Sequence, residues 1–153
     1  MSIHEDVLNS VSVLIVEDKE VVTEGLHFYL KNRVADIYMA SNVDEGLEIY
    51  RTRSPQIIII DLALLPLSDM EMIETIRQKD KETTIILVSG NNTQSHFIKA
   101  IEIGINRYLP RPANRSELLE TLIVEADKIL LRQEIEALDR RLENSRRFEG
   151  LKA

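Results

Sequence analysis

Five apolar runs recur along the chain, at 11–16 (VSVLIV), 36–40 (DIYMA), 56–60 (QIIII), 84–88 (TIILV) and 107–109 (RYL). The strongest of them, QIIII and TIILV, are continuous rather than alternating, which suits parallel strands buried on both faces. The stretches between them carry helical spacing instead. Val21, Val22, Leu26, Tyr29 and Leu30 fall on one face, as do Leu47 with Tyr50 and Ile73 with Ile76. Phe97, Ile98 and Ile101, then Leu118, Leu119, Leu122 and Ile123, continue the series. Ser41 stands three residues before Asp44, and Asn114 three before Glu117, the spacing of a capping box at a helix start. Strand and helix therefore alternate five times. The pattern predicts an α/β fold, a doubly wound five-stranded parallel sheet of (βα)5 order with helices on both faces.

The last helical pattern has no stop before Gly150. Read from Arg115 to about Arg147, it is roughly 50 Å long at 1.5 Å per residue, more than so small a domain can cover. The chain thus divides into a body over 1–127 and an extended helix over 128–153. Val124, Leu131, Ile135, Leu138 and Leu142 follow a seven-residue repeat, with Lys128 interrupting one seam position. Flanked by Glu134, Arg141 and Arg132, that seam predicts a parallel two-stranded coiled coil, hence a homodimer. A single helix packed on another domain is the alternative. No output motif follows, so an output module is expected after Ala153 or on a partner.

Composition narrows the class. With 153 residues, 44% hydrophobic and only 5% aromatic, the chain can bury one aliphatic core. Cysteine is absent, which excludes disulfides and thiolate metal sites. No apolar run approaches the roughly 20 residues of a membrane span, and Glu5 and Asp6 sit where a secretory signal would be basic. A cytoplasmic protein is expected. Residues 1–127 hold 12 Lys/Arg against 21 Asp/Glu, and residues 128–153 hold 7 against 5. The acidic body argues against direct nucleic-acid binding by this segment.

In a doubly wound sheet, ligands bind beyond the carboxyl ends of the strands. Those ends carry Glu17-Asp18, Asp61, Ser89-Gly90 and Pro110-Arg111-Pro112. Three carboxylates meeting at one rim repel each other unless a cation lies among them, and hard oxygen ligands suit Mg²⁺. A hydroxyl and a fixed cation on neighbouring strands complete what phosphoryl transfer onto a carboxylate requires. The three histidines, His4, His27 and His96, lack ligand-like spacing.

From about Ser10 to Lys128 the sequence resembles the receiver domain of two-component response regulators. The motifs that carry the likeness are VLIVED at 13–18, IIIIDLALLP at 57–66, ILVSG at 86–90 and GINRYLPRP at 104–112. The resemblance implies a non-enzymatic signalling domain that takes a phosphoryl group on Asp61 from a histidine kinase or phosphotransfer protein. It also implies Mg²⁺ held by Asp18, Asp61 and the backbone carbonyl of Ala63, with Glu17 acting through water. Ser89 becomes the switch hydroxyl and Tyr108 the aromatic that changes rotamer with it. Arg111 occupies the place of the family's lysine, before a proline expected to be cis.

Two positions depart from the family pattern. Arginine is planar and forked and grips phosphate bidentately, where lysine is a point charge; coupling of phosphorylation to the switch is therefore open. Pro66 lies five residues after Asp61 rather than four, and Met70 stands where a glycine is usual. A haloacid-dehalogenase-type phosphatase needs a second acid two residues after its nucleophile, and Ala63 stands there. A flavodoxin-type binder needs a phosphate-cradling loop after the first strand, and Glu17–Val22 has no glycine. The remaining alternative is a degenerate receiver that docks or dimerises without phosphorylation.

Overall fold

A computed structural model describes residues 5–61, 63, 70–89, 94–110 and 114–152. A 3₁₀ turn over Glu5–Ser10 leads into β1 (Ser12–Val16), α1 (Glu20–Leu30), β2 (Asp36–Ala40), α2 (Val43–Arg53) and β3 (Ile57–Asp61). There follow α3 (Glu71–Lys79), β4 (Thr84–Ser89), α4 (Gln94–Ile103), β5 (Arg107–Pro110) and α5 (Arg115–Lys152). All four strand pairings are parallel, in the order β2-β1-β3-β4-β5. The expected (βα)5 order and its strands are present to within a residue or two at their ends.

The non-alternating runs are explained by burial on both sides. Val13 and Ile15 of β1, with Ile57 and Ile59 of β3, face a core closed by Leu30 of α1 and by Leu118, Leu122, Ala126 and Ile129 of α5. Leu14, Val16, Ile58 and Ile60 face the other, closed by Ile73 and Ile76 of α3 and Ala100 of α4. Each central strand feeds two cores because its side chains alternate between faces. Truncating any one of these isoleucines to alanine costs about 2–5 kcal/mol by transfer and cavity formation. The 3₁₀ turn, which the periodicity does not reveal, plugs the first core with Leu8.

Three expectations need correction. Val21 and Val22 do not share the buried face of α1; they are 83% and 38% exposed and line an open cavity between that helix and the sheet. Leu26, Tyr29 and Leu30 of that set do pack on the core. On α4, Phe97, Ile98 and Ile101 are largely exposed, and the helix seats through Ala100 and Ile103 instead. The cap of α2 is Asn42 rather than Ser41: the Glu45 N–H donates to Asn42 Oδ1 at 2.8 Å, while Ser41 Oγ donates to the Glu45 carboxylate at 2.9 Å. Asn114 caps α5 as expected, its Oδ1 accepting from the Ser116 N–H at 2.8 Å.

At the amino ends of the strands a polar network ties α2 and α3 to the two loops before β4 and β5. Arg77, at the end of α3, donates from Nε to the Gly104 carbonyl (2.8 Å), from one terminal nitrogen to the Asp80 carbonyl (3.1 Å) and from the other to Asn106 Oδ1 (2.7 Å). Gly104 turns there with φ of 107°, a conformation that side chains resist. The Asp80 carboxylate accepts from the Glu82 and Thr83 N–H groups, the Thr83 hydroxyl and the Tyr50 hydroxyl.

The predicted long helix is present and longer than expected. Its first half is seated on the body, but Leu131, Ile135, Leu138 and Leu142 are each more than half exposed. No described helix is long and apolar enough to cross a membrane.

Candidate phosphoacceptor and metal site

β1 and β3 are neighbours in the sheet, with Val16 opposite Ile60. The residues that follow, Glu17 and Asp61, therefore emerge side by side at the carboxyl rim. One ligand oxygen from each of Glu17, Asp18 and Asp61 lies within 4.8 Å of the others. Glu17 and Asp61 are both 4% exposed, whereas Asp18 is open to solvent. Backbone bonding fixes the trio. The Glu17 N–H donates to the Ala40 carbonyl at 2.9 Å, and the Ala63 N–H donates to Asp61 Oδ1 at 3.0 Å, which sets the rotation of that carboxylate. Carboxylates this close disfavour their common ionised state unless a cation is shared among them. Three oxygens from three residues within one ion's reach suit a hard divalent cation. Among the described residues this is the one such cluster.

Asp61 pairs in register with Val88, so Ser89 stands one residue further along the adjacent strand, buried at 4% exposure. Ser89 pairs with Pro110 of β5. The Tyr108 hydroxyl donates to the Ser89 carbonyl at 3.2 Å, and its ring meets Phe97 edge-on at 5.3 Å between centroids. Tyr108 is thus linked to the residue that neighbours Asp61 across the sheet. The sequence-derived site residues Glu17, Asp18, Asp61, Ala63, Ser89 and Tyr108 are gathered at one rim. Arg111, Pro112, Gly90 and Pro66 lie outside the described residues.

The family model for the response regulator receiver domain matches residues 13–123. The chain belongs to the response-regulator receiver family. The acid tolerance regulatory protein ActR of Rhizobium meliloti is 31% identical over 112 residues, which cover 73% of this chain and 58% of ActR. The photosynthetic apparatus regulatory protein RegA of Cereibacter sphaeroides is 25% identical, with 77% and 64% covered. This receiver therefore spans under two thirds of the length of those relatives. Among solved structures it resembles the N-terminal domain of an uncharacterized protein from Wolinella succinogenes, at TM-score 0.74 and 29% identity, covering 80% of this chain and 99% of that one. The signal receiver domain of a putative Luxo repressor protein from Vibrio parahaemolyticus has the same fold at TM-score 0.74 and 24% identity, with 83% and 98% covered.

The receiver body also holds features that sequence reasoning missed. A cavity of about 420 Å³ opens between α1 and the start of α5, and its lining joins Asp61 and Glu17 to Val21, Val22, Gly25 and Arg115. Arg115 also stacks over the Tyr29 ring, 5.4 Å from its centroid. Thr23 donates its hydroxyl to the Lys19 carbonyl at 3.1 Å and lies 3.4 Å from that of Glu17, bracing the β1–α1 loop. No local motif marks Thr23 or Arg115; the first is set by the carbonyls of the β1–α1 loop and the second by the passage of α5 beside α1.

Proposed function

We propose that residues 1–127 form a phosphoacceptor switch that takes a phosphoryl group on Asp61 from a histidine kinase or phosphotransfer protein, with Mg²⁺ as cofactor. The observation that supports this most is the convergence of Glu17, Asp18 and Asp61 within 4.8 Å at the rim. In the reaction an Asp61 carboxylate oxygen forms a bond to phosphorus as the phosphorus–nitrogen bond to the donor imidazole breaks, and the imidazole nitrogen takes up a proton. Asp18, Asp61 and the Ala63 carbonyl, with Glu17 behind them, would hold the divalent ion, which would neutralise charge on the phosphoryl oxygens. Ser89 provides a hydroxyl donor from the next strand, and Tyr108, hydrogen-bonded to its carbonyl, follows its movement. Arg111 provides the second cation, with a bidentate grip in place of a lysine's point charge.

The helix over 128–153 carries the signal outward and joins two copies through its exposed seam. Three heptads are marginal by themselves, so the seated half of α5 must hold the helix formed. A phosphorylation-independent docking module has no need of three crowded carboxylates, and their retention favours the switch. A small-molecule phosphodonor with Mg²⁺ is expected to add one acid-stable, base-labile phosphoryl group, detected by mass spectrometry and lost in Asp61→Asn. An unmodified wild type after that exposure overturns the switch and returns the protein to the docking class.

A further inference from the structure

We propose that two copies pair through their α5 helices in antiparallel orientation, with Ile135 of one copy opposite Leu138 of the second and Leu131 opposite Leu142. This rests on the helix-mediated association proposed above and reverses the parallel direction that the seam spacing alone predicts. The seam is available: Leu131, Ile135, Leu138 and Leu142 are each more than half exposed along one stripe of α5. Spacings of 4 and 3 place Val124, Lys128, Leu131, Ile135, Leu138, Leu142 and Ser145 in sequence along it.

The polar residues on and beside the seam decide the orientation. In a parallel pair in register, Lys128 stands opposite Lys128 of the second copy, a like-charge juxtaposition that its own ion pair with Glu125 at 3.3 Å reduces. The flanking positions fare no better. Glu134 then faces Asp139 of the other copy and Arg141 faces Arg146, so two of three flanking contacts are repulsive, against one attraction between Asp127 and Arg132. In the antiparallel register the same residues are redistributed. Lys128 meets Ser145, Glu134 meets Arg141, and Arg132, which also reaches the Glu82 carboxylate at 3.9 Å, meets Asp139, each contact occurring twice by symmetry.

The seated half of α5 is compatible with this arrangement. Its body-facing residues Leu118, Leu122, Ala126 and Ile129 are buried, and Glu125 is enclosed with Arg107 and Lys128, leaving Leu131, Ile135, Leu138 and Leu142 to a partner. With the two-fold axis between residues 136 and 137, the bodies, each centred near residue 122, lie roughly 40 Å apart along the pair and do not collide.

The chain has no cysteine, so single cysteines report the geometry cleanly. Sedimentation velocity of the wild type is expected to show a dimer that Leu138→Asp reduces to monomer; a monomeric wild type overturns helix-mediated association itself. If the dimer forms, Lys128→Cys mixed with Ser145→Cys and oxidised is expected to give a disulfide joining one of each, while Ser145→Cys alone does not cross-link, because its two sulfurs stand roughly 25 Å apart. Cross-linking of Ser145→Cys to itself, or a dimer that cross-links in no combination, overturns the orientation and leaves the association standing. An independent sign test is Glu134→Arg. It weakens an antiparallel dimer by roughly five- to tenfold, setting two Arg–Arg contacts in place of Glu–Arg, and tightens a parallel one.

Discussion

The two rims of the sheet hold their carboxylates in opposite ways. At the amino rim, Asp80 is surrounded by donors. Burial acts to raise its pKa, but the Thr83 hydroxyl and N–H, the Glu82 N–H and the Tyr50 hydroxyl outweigh it and hold the carboxyl down at about 2. The same contact with Asp80, added to burial, pushes the Tyr50 phenol up. At the carboxyl rim, Glu17, Asp18 and Asp61 are instead gathered within 4.8 Å of one another, close enough for one divalent cation to reach all three. The first rim stabilises the fold, and the second gathers the residues that the proposed switch uses. The same kind of substitution is therefore expected to act with opposite sign at the two ends.

The largest effect belongs to Arg77→Ala. Three hydrogen bonds from a buried guanidinium join α3 to the loops before β4 and β5, and their removal leaves the Gly104 and Asp80 carbonyls to find other donors. A loss of about 3 kcal/mol is expected, read from the urea midpoint; a loss below about 1 kcal/mol would mean that this rim does not hold the loops together. Asp80→Asn comes next, at about 1–2 kcal/mol near neutral pH. Because the folded-state pKa lies below the ordinary 3.8, the carboxylate's contribution is fully present above that value and lost as pH falls through about 2. The gap between wild type and variant should close over that window. A gap that persists unchanged to pH 2 contradicts the assignment of the stability to Asp80.

The smallest effect has the reverse sign. Without divalent metal, Asp61→Asn is expected to stabilise the protein by about 0.5–1 kcal/mol by removing one of three crowded charges. Adding Mg²⁺ should raise the melting temperature of the wild type and leave that of the variant nearly unmoved. A destabilised variant, or equal Mg²⁺ shifts in both proteins, would remove the contrast between the rims.

The carboxyl rim was the more legible in sequence. Asp61 follows four isoleucines and Glu17-Asp18 follow VLIV, so parallel pairing of two apolar runs was enough to bring them together. The Arg77–Asp80–Asn106 network carries no such mark. Its partners are separated by as many as 30 positions, and each residue alone looks like ordinary loop polarity. Val21, Val22 and the α4 stripe differ from expectation for a related reason: helical periodicity shows which residues share a face, but not how closely the body packs against it. Asn42 displaced Ser41 as the cap because both can accept from the first turn, and the choice depends on where the chain leaves β2.

The length of α5 gives the molecule mechanical leverage. The helix is anchored by Leu118, Leu122, Ala126 and Ile129, and its first residue, Arg115, lines the same cavity as Asp61. From Leu131 onward it runs free of the body's core for 22 residues, roughly 33 Å. A tilt of about 10° at the anchored end would sweep the far end through roughly 6 Å, as much as a full helical turn. Repacking too slight to alter the sheet would thus displace whatever grips the tip.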